Sequence, residues 1–476
     1  MDPSKLTPEY IEEQRRLRNL RKEAKAQELR DQGIEPEGEE KEKLFIARSL
    51  APIHHETKEV NGFPIKIMTY NVLAQALIRR KLFPTNGPAL KWGYRSRALL
   101  AELKHYGADI MCLQELDYIQ YNSFWKKEFE KLGYSSKYYR SNVKNHGLAI
   151  VYRENFFICK HQSFINYDSE RTPENEQVQL PIPRTITQNV GFMCYLEFHP
   201  SLLQKHPHLS EKNGLIIGTT HLFWHPFGTF ERARQTYLVL YKFKAFRETL
   251  TKILGNSKGF YNFFAGDMNS QPFDSPYLAI TSKPVTFKGR ASTVISCSLS
   301  YQYSKNRGTV EGADEDDDDE DEEGGNVEKF GKDQPRDPVP DHFEPTEDQL
   351  KLAKQMEDVH NALDMRAISL YSVGYNKVHP ENSGLDNDRN EPSFSNWAHT
   401  WRGLLDYIFV VSSWDLKQDF SERPDTLEEL EQQNVRLVGL LKLPLPQEMG
   451  PEPSGQPRIG QYPSDHLCLM AEVELI

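Results

Sequence analysis

From Phe63 to the C-terminus, short apolar runs recur along this chain, and they fall into two periods. The runs "IKIMTYNVLA", "DIMCLQEL", "LAIVYR", "VGFMCYLEF", "LIIGTTHLF", "FYNFFAGDM", "LLDYIFVV" and "HLCLMAEVEL" are rich in β-branched and aromatic residues and predict strands. Between some of them, "SRALLAELKHYG", "SFWKKEFEKLG" and "FERARQTYLVLYKFKAFRETLTKIL" carry helix formers with apolar residues at helical spacing. Interleaving of this kind predicts an α/β domain, with sheets at the centre and helices packed outside.

Two segments break the pattern. "TPEYIEEQRRLRNLRKEAKAQELRDQG" opens with Thr7 as N-cap and Pro8 at the first helical position and ends at Gly33, yet has almost no apolar face. With the linker "IEPEGEEKEK" it predicts that residues 1–60 form a charged helical appendage to a domain over 61–476. A solvated arm is the plain reading, and contact with RNA or a ribosomal particle is the functional one. Residues from about 301 to 344 hold Gly, Pro and the run "EGADEDDDDEDEE", too little apolar surface to order a chain, which predicts a disordered acidic insertion within the domain.

Composition narrows the function. The formal charge is -11, but the run from Glu311 to Glu323 holds eleven acids and the rest of the chain balances at zero. A coat that neutralises phosphate broadly would be more basic, so an anionic substrate must be held locally. The five cysteines (Cys112, Cys159, Cys194, Cys297, Cys468) are widely spaced with no CxxC pair, which predicts buried thiols in a reducing compartment. No run approaches the roughly 18 apolar residues of a membrane span, and the Glu-rich start resembles neither a signal peptide nor a transit peptide. The expectation is a cytoplasmic or nuclear protein without a membrane partner.

The chemistry sits at the strand ends. Asn71 in "MTYNVLAQ", Glu115 in "CLQELD", His221 in "TTHLFWHP", Asp267 and Asn269 in "GDMNS", Asp406 in "GLLDYIF", and Asp465 with His466 in "SDHLCLM" all close or open a strand candidate. Singly, each is more often a cap or turn residue. Together they predict one site, because strand termini on one sheet edge converge in space. Carboxylates and carboxamides without paired Cys or a His-x-x-x-His spacing suit a hard cation such as Mg²⁺, with Mn²⁺ the substitute, rather than zinc. A serine triad through Ser464 and His466 lacks the "GxSxG" elbow such sites use.

At these same residues the sequence resembles the endonuclease/exonuclease/phosphatase superfamily, and within it the branch of poly(A)-specific deadenylases and nocturnin. The stretches "MTYNVLAQALIRRKLFP", "THLFWHPFG", "GDMNSQPFDSPY" and "HTWRGLLDYIF" are similar to fungal nocturnin-like RNA exonucleases associated with maturation of the 5.8S ribosomal RNA 3′ end. The resemblance covers most of 64–476. It implies a four-layer α/β sandwich with two central mixed sheets flanked by helices. It also implies a Mg²⁺-dependent 3′-to-5′ exoribonuclease that releases nucleoside 5′-monophosphates.

Carried over by motif, Glu115 resembles the principal metal ligand supported by Asn71, and Asp465 a second-metal ligand. Asp267 and Asn269 match the pair that positions water and phosphate, and are counted with the metal set. His466 resembles the histidine on the scissile phosphate, with Asp406 orienting it and His221 completing the catalytic set. Pro226 and Trp401 match positions that sandwich a terminal base, although Trp401 stands where deadenylases commonly carry Phe, which departs from strict adenine preference. His146 is a substrate-side candidate, and Arg79, Arg80 and Lys81 are candidates to line an incoming backbone.

Adjacent strand residues point to opposite faces, so Asp465 and His466 do separate jobs unless a bend at the strand start brings both into the cleft. The leucine-rich repeats that recruit the core deadenylase complex are absent, which implies work outside it. The alternatives are a small-molecule phosphatase of the same superfamily, including a nocturnin-like dinucleotide phosphatase, and a non-catalytic RNA-binding scaffold. The expected partners are an RNA substrate and pre-ribosomal particles.

Overall fold

The alternation in "FPIKIMTYN" places Ile65 and Ile67 on one face of a strand and Met68 and Tyr70 among the residues of another cluster, all buried, so this strand needs cover on both sides. The computed structural model supplies it, describing residues 43–54, 62–79, 83–173, 178–303, 335–399, 401–450 and 455–476, with Arg16. Within the described residues, Phe45–Ile476 belongs to one compact unit.

Fifteen strands are described. They are β1 (Leu50–Pro52), β2 (Phe63–Asn71), β3 (Ile110–Asp117), β4 (Tyr134–Tyr139), β5 (His146–Arg153), β6 (Phe157–Asn166), β7 (Val190–Phe198), β8 (Leu215–His221), β9 (Tyr261–Asp267), β10 (Met365–Ser369), β11 (Asn396–Ala398), β12 (Trp401–Gly403), β13 (Asp406–Ser413), β14 (Val435–Leu441) and β15 (Leu469–Leu475). One sheet runs β1-β14-β15-β2-β3-β5-β4, a second β10-β13-β9-β8-β7-β6, and β11 and β12 form a separate ribbon.

Each large sheet is mixed. It holds one parallel pair, β2 with β3 or β8 with β9, among antiparallel neighbours. A parallel pair needs a crossover, and helices Trp92–Tyr106 and Thr229–Leu254 provide the two. The first stops at Gly107, whose φ of 55° lets its N–H reach the Leu103 carbonyl at 3.0 Å.

Ile67, Ile110, Ile150, Ile217, Phe263 and Val410 pack between the sheets. Met111, Leu113 and Val151 pack with Leu99 and Leu103 of the first crossover helix. Met193, Ile216 and Phe264 pack with Leu238 and Phe243 of the second. The expected four layers, helices, sheet, sheet, helices, are therefore present.

The domain reaches further toward the N-terminus than residue 61. β1 pairs with β14, the Ile46 N–H donates to the Gln461 carbonyl at 2.8 Å, and Arg48 donates to the Cys468 carbonyl at 2.9 Å. A three-residue edge strand carries too few positions for a period to register. The acidic insertion is also shorter than 301–344. Tyr301 stacks on Phe227 at 4.6 Å, and Phe343 packs on the same cluster. Residues 304–334, with the acidic run, lie outside the described residues, as does the predicted helix over 7–33 apart from Arg16, which is helical. No described helix is long and apolar enough to cross a membrane.

Candidate active site

The topology decides which strand ends meet. In the seven-stranded sheet, β15, β2, β3 and β5 lie side by side, and their ends on one edge carry His466 (just before β15), Asn71, Glu115 and His146. In the six-stranded sheet, β13, β9, β8 and β7 do the same with Asp406, Asp267, His221 and Asn189 (just before β7). Packing of the sheets face to face brings the two rows together as one strip, from the His466 and Asp406 end to the His146 and Asn189 end.

Local backbone features aim the side chains. The β3–β5 register shifts between Leu113 and Leu116, and Glu115, inside that irregularity, has a φ of 57°. A bulge of this kind re-aims a side chain that regular pleating would place elsewhere. Asn269 has a φ of 47°, its N–H donates to Asp267 Oδ1 at 2.9 Å, and its Nδ2 donates to the Leu222 carbonyl at 2.9 Å. Bends at Pro463 to Asp465 precede β15, the bend needed to turn both Asp465 and His466 away from strand geometry.

Asn71 is the centre of the hydrogen bonding. Its Nδ2 donates to Glu115 Oε1 at 2.8 Å and to Asp267 Oδ2 at 2.9 Å, while its Oδ1 accepts the Leu73 N–H at 3.0 Å. Glu115 Oε2 accepts the Ala74 N–H at 2.8 Å. His466 Nδ1 pairs with Asp406 Oδ2 at 2.7 Å, leaving Nε2 3.7 Å from Asp267 Oδ2. His221 Nε2 lies 3.5 Å from Asp267 Oδ2 and 3.9 Å from Glu115 Oε1.

Burial would raise the Glu115 carboxyl, but His221, the Asn71 amide and the Ala74 N–H outweigh it and hold it below its ordinary value. Burial would lower the His466 imidazole, yet Asp406 and Asp267 hold it well above the usual range, so the proton of the Asp406–His466 pair stays on the ring. Asp465 is pushed up to about 6, by burial first and then by the nearby Glu115 charge. Burial and then Lys144 push His146 down to about 3, so its ring is neutral.

The Endonuclease/Exonuclease/phosphatase family model matches residues 68–466. That stretch contains every one of these residues. The chain belongs to this family. It is 50% identical to the RNA exonuclease NGL2 of Saccharomyces cerevisiae over 99% of this chain and 89% of that protein. It is 38% identical to the probable RNA exonuclease NGL3 of the same yeast, over 99% of this chain and 90% of that one. Among solved structures, ANGEL2, described as a 2′,3′-cyclic phosphatase, aligns with a TM-score of 0.53 at 19% identity, covering 90% of this chain and 99% of that one, a likeness of fold.

Within the family site, the donor set suits a divalent cation. Glu115, Asp267, Asp406 and Asp465 gather four carboxyl groups beside the His466 imidazole, an oxygen-rich set. Asp267, Asp406 and His466 have ligand atoms within 4.8 Å of one another. Two of these are already joined, since His466 Nδ1 is committed to Asp406, and a hard cation prefers oxygen, so carboxylates rather than this imidazole are the donors that suit it. Asn71, expected to support Glu115 in the metal set, contacts the Glu115 and Asp267 carboxylates directly. Its amide nitrogen bridges the two, donating to Glu115 Oε1 and Asp267 Oδ2.

The remaining candidates lie around this strip. His146 is buried at its far end, with its ring centroid 6.3 Å from that of His221. Trp401 is 48% exposed on the ribbon, whose first residue, Asn396, bridges to His466. Pro226 is exposed between β8 and the second crossover helix. Of the basic cluster, Arg79 is described, and Arg80 and Lys81 lie outside the described residues.

Ser464 proves to be a brace. Its Oγ donates to the Asn71 carbonyl at 2.8 Å and accepts the His466 N–H at 3.2 Å, which joins two site loops. Two residues escaped the sequence. Ser395 Oγ donates to Asp406 Oδ2 at 2.7 Å while accepting the Leu405 and Asp406 N–H groups at 3.0 and 3.1 Å. Arg95, wholly buried, donates to the carbonyls of Val72, Leu73 and Pro463 and so ties the loop after Asn71 to the loop before Asp465. Ser395 lies one residue before the three-residue strand β11, which no apolar run announces, and Arg95 is on a helix.

Proposed function

We propose that this protein is a Mg²⁺-dependent 3′-to-5′ exoribonuclease that releases nucleoside 5′-monophosphates, trims ribosomal RNA precursors at the 5.8S 3′ end and accepts oligo(A). The observation that carries the reading is the 50% identity, across 99% of this chain, to a protein named as an RNA exonuclease. Fold likeness by itself leaves the substrate open.

The geometry gives each residue a task. His466, charged and fixed through Nδ1 by Asp406, directs Nε2–H toward a phosphoryl oxygen and stabilises its growing charge. His221 is placed to share that load from β8. Asp267, held by Asn71 and the Asn269 amide, orients the attacking water and takes its proton. Glu115, Asp267 and Asp465 would hold the cation, which when bound supplies a Lewis acid for the phosphoryl oxygens. Trp401 and Pro226 flank the terminal base, where one aromatic stacking contact contributes ~1–3 kcal/mol and tolerates sequence. RNA and a pre-ribosomal particle are the partners, met in the cytoplasm or the nucleus.

Purified enzyme incubated side by side with a short oligoribonucleotide and with NADPH tests the substrate class. The reading expects nucleoside 5′-monophosphates from the RNA and little phosphate from NADPH. Rapid phosphate release from NADPH with intact RNA would replace it with a dinucleotide phosphatase.

A further inference from the structure

At the far end of the strip, a solvent-open recess lies beside His221, with Lys144, His146 and Asn189 among its walls. Asn189 is 4% exposed, and its Nδ2 donates to the His221 carbonyl at 3.0 Å. Its Oδ1 is buried and has no hydrogen-bond partner among the described residues. A buried acceptor left in this condition is costly unless a donor arrives from outside the chain. The recess therefore has the composition of a site for a small group that donates a hydrogen bond and lies within a few bonds of the phosphate held at His221.

The order of the strip says which group. The ribbon bearing Trp401 is joined to His466 at one end, and the recess, with His221 on its wall, lies at the other, with Asn71, Glu115 and Asp267 between. If the terminal base sits by Trp401 and its 5′-phosphate between the histidines, the next sugar along the RNA falls at the recess. That sugar carries the 3′ oxygen that leaves when the bond is cut, and beside it a 2′-hydroxyl, which both donates and accepts hydrogen bonds.

We propose that the recess between His146, Asn189 and His221 seats the ribose preceding the scissile phosphate, and that Asn189 Oδ1 accepts the hydrogen of its 2′-hydroxyl. This deepens the exoribonuclease reading and rests on it. It makes Asn189 a specificity residue for RNA over DNA at one defined nucleotide.

The test compares 5′-labelled oligoribonucleotides that are all-ribose, 2′-deoxy only at the penultimate nucleotide, 2′-fluoro only there, or 2′-deoxy only at the terminal one. First-cleavage kcat/KM is measured for wild type, Asn189→Ala and Asn189→Asp, with thermal melting to confirm folding. Wild type should cut the all-ribose substrate at least about tenfold faster than the penultimate deoxy or fluoro substrate, as loss of one well-placed hydrogen bond implies. Terminal deoxy should matter little. In Asn189→Ala the penultimate preference should collapse toward one, whereas Asn189→Asp, which keeps an acceptor, should retain it even if slowed by losing the bond to the His221 carbonyl.

Equal wild-type rates on ribose and penultimate deoxy substrates would overturn the assignment while leaving the exonuclease intact. So would an Asn189→Ala variant slowed by the same factor on both, since Asn189 would then only brace His221 and hold a water. Failure of wild type to cut any of these RNAs, with NADPH hydrolysed, would instead sink the exoribonuclease reading, and the ribose site with it.

Discussion

His466 depends on Asp406, and Asp406 depends on Ser395, which makes this relay the sharpest place to test the chemistry. Asp406 Oδ2 receives both His466 Nδ1 and Ser395 Oγ, each at 2.7 Å. Asp406→Asn keeps the shape and removes the charge that chiefly holds His466 protonated. Nε2 then ceases to donate to the scissile phosphate, and loss of one such donor typically lowers kcat by ~10²- to 10³-fold. Ser395→Ala removes one of the two hydrogen bonds that fix the carboxylate. At ~1.5 kcal/mol for a bond to a charged group, and ~1.4 kcal/mol per tenfold in rate, about a tenfold loss is expected.

Since Ser395 acts only through Asp406, the double variant should be no slower than Asp406→Asn alone. Single-turnover cleavage of a 5′-labelled oligoribonucleotide with excess enzyme isolates the chemical step. Circular dichroism melting checks that the fold survives, with Ser395→Ala melting a few degrees lower because the Leu405 and Asp406 N–H groups also lose their acceptor. An Asp406→Asn enzyme within threefold of wild type, or a double variant whose losses multiply, would refute the relay.

Other consequences follow from the packing. Lys283 is fully buried, donates to the His360 carbonyl and lies 5.5 Å from the Trp414 ring centroid, and burial followed by the Arg366 charge pushes it down to about 7. Between there and its ordinary value near ~10.4 the unfolded chain binds more protons than the folded one, so this group makes stability rise with pH. Urea unfolding should show wild type gaining ~2–3 kcal/mol on Lys283→Met between pH 7 and 9, and a constant gap would count against the buried charge. At Gly266, beside Asp267 and in register with Thr220, an added Cβ would lie 2.4 Å from the Thr220 carbonyl oxygen. Gly266→Ala should therefore cost ~1–3 kcal/mol and lower activity by displacing Asp267, and an unchanged urea midpoint would contradict that crowding.

The long apolar runs were legible because strands in this fold are buried on both faces, so β2, β3, β5, β7, β8, β9, β13 and β15 announce themselves. The edge strands β1, β4, β6 and β10 are short or half polar, and β14 follows a stretch of charged residues that offers no alternation. Site residues at strand ends were legible for a topological reason, since parallel and antiparallel neighbours bring those ends to one edge. Asn189 and Ser395 precede strands by a residue or lie in a loop, and Arg95 is on a helix. Their roles depend on which carbonyls and carboxylates the tertiary fold brings beside them, a fact no local pattern carries. The donor role of Asn71 was hidden likewise, because it follows from two carboxylates meeting across the two sheets.

The most direct measurement follows 5′-labelled RNAs, one ending in oligo(A) and one in mixed sequence, incubated with wild type in Mg²⁺, with wild type in EDTA, and with Glu115→Gln in Mg²⁺. A one-nucleotide ladder shortening from the 3′ end is expected only for wild type in Mg²⁺. An undiminished ladder in EDTA or with Glu115→Gln, or internal cuts in place of a ladder, would contradict it.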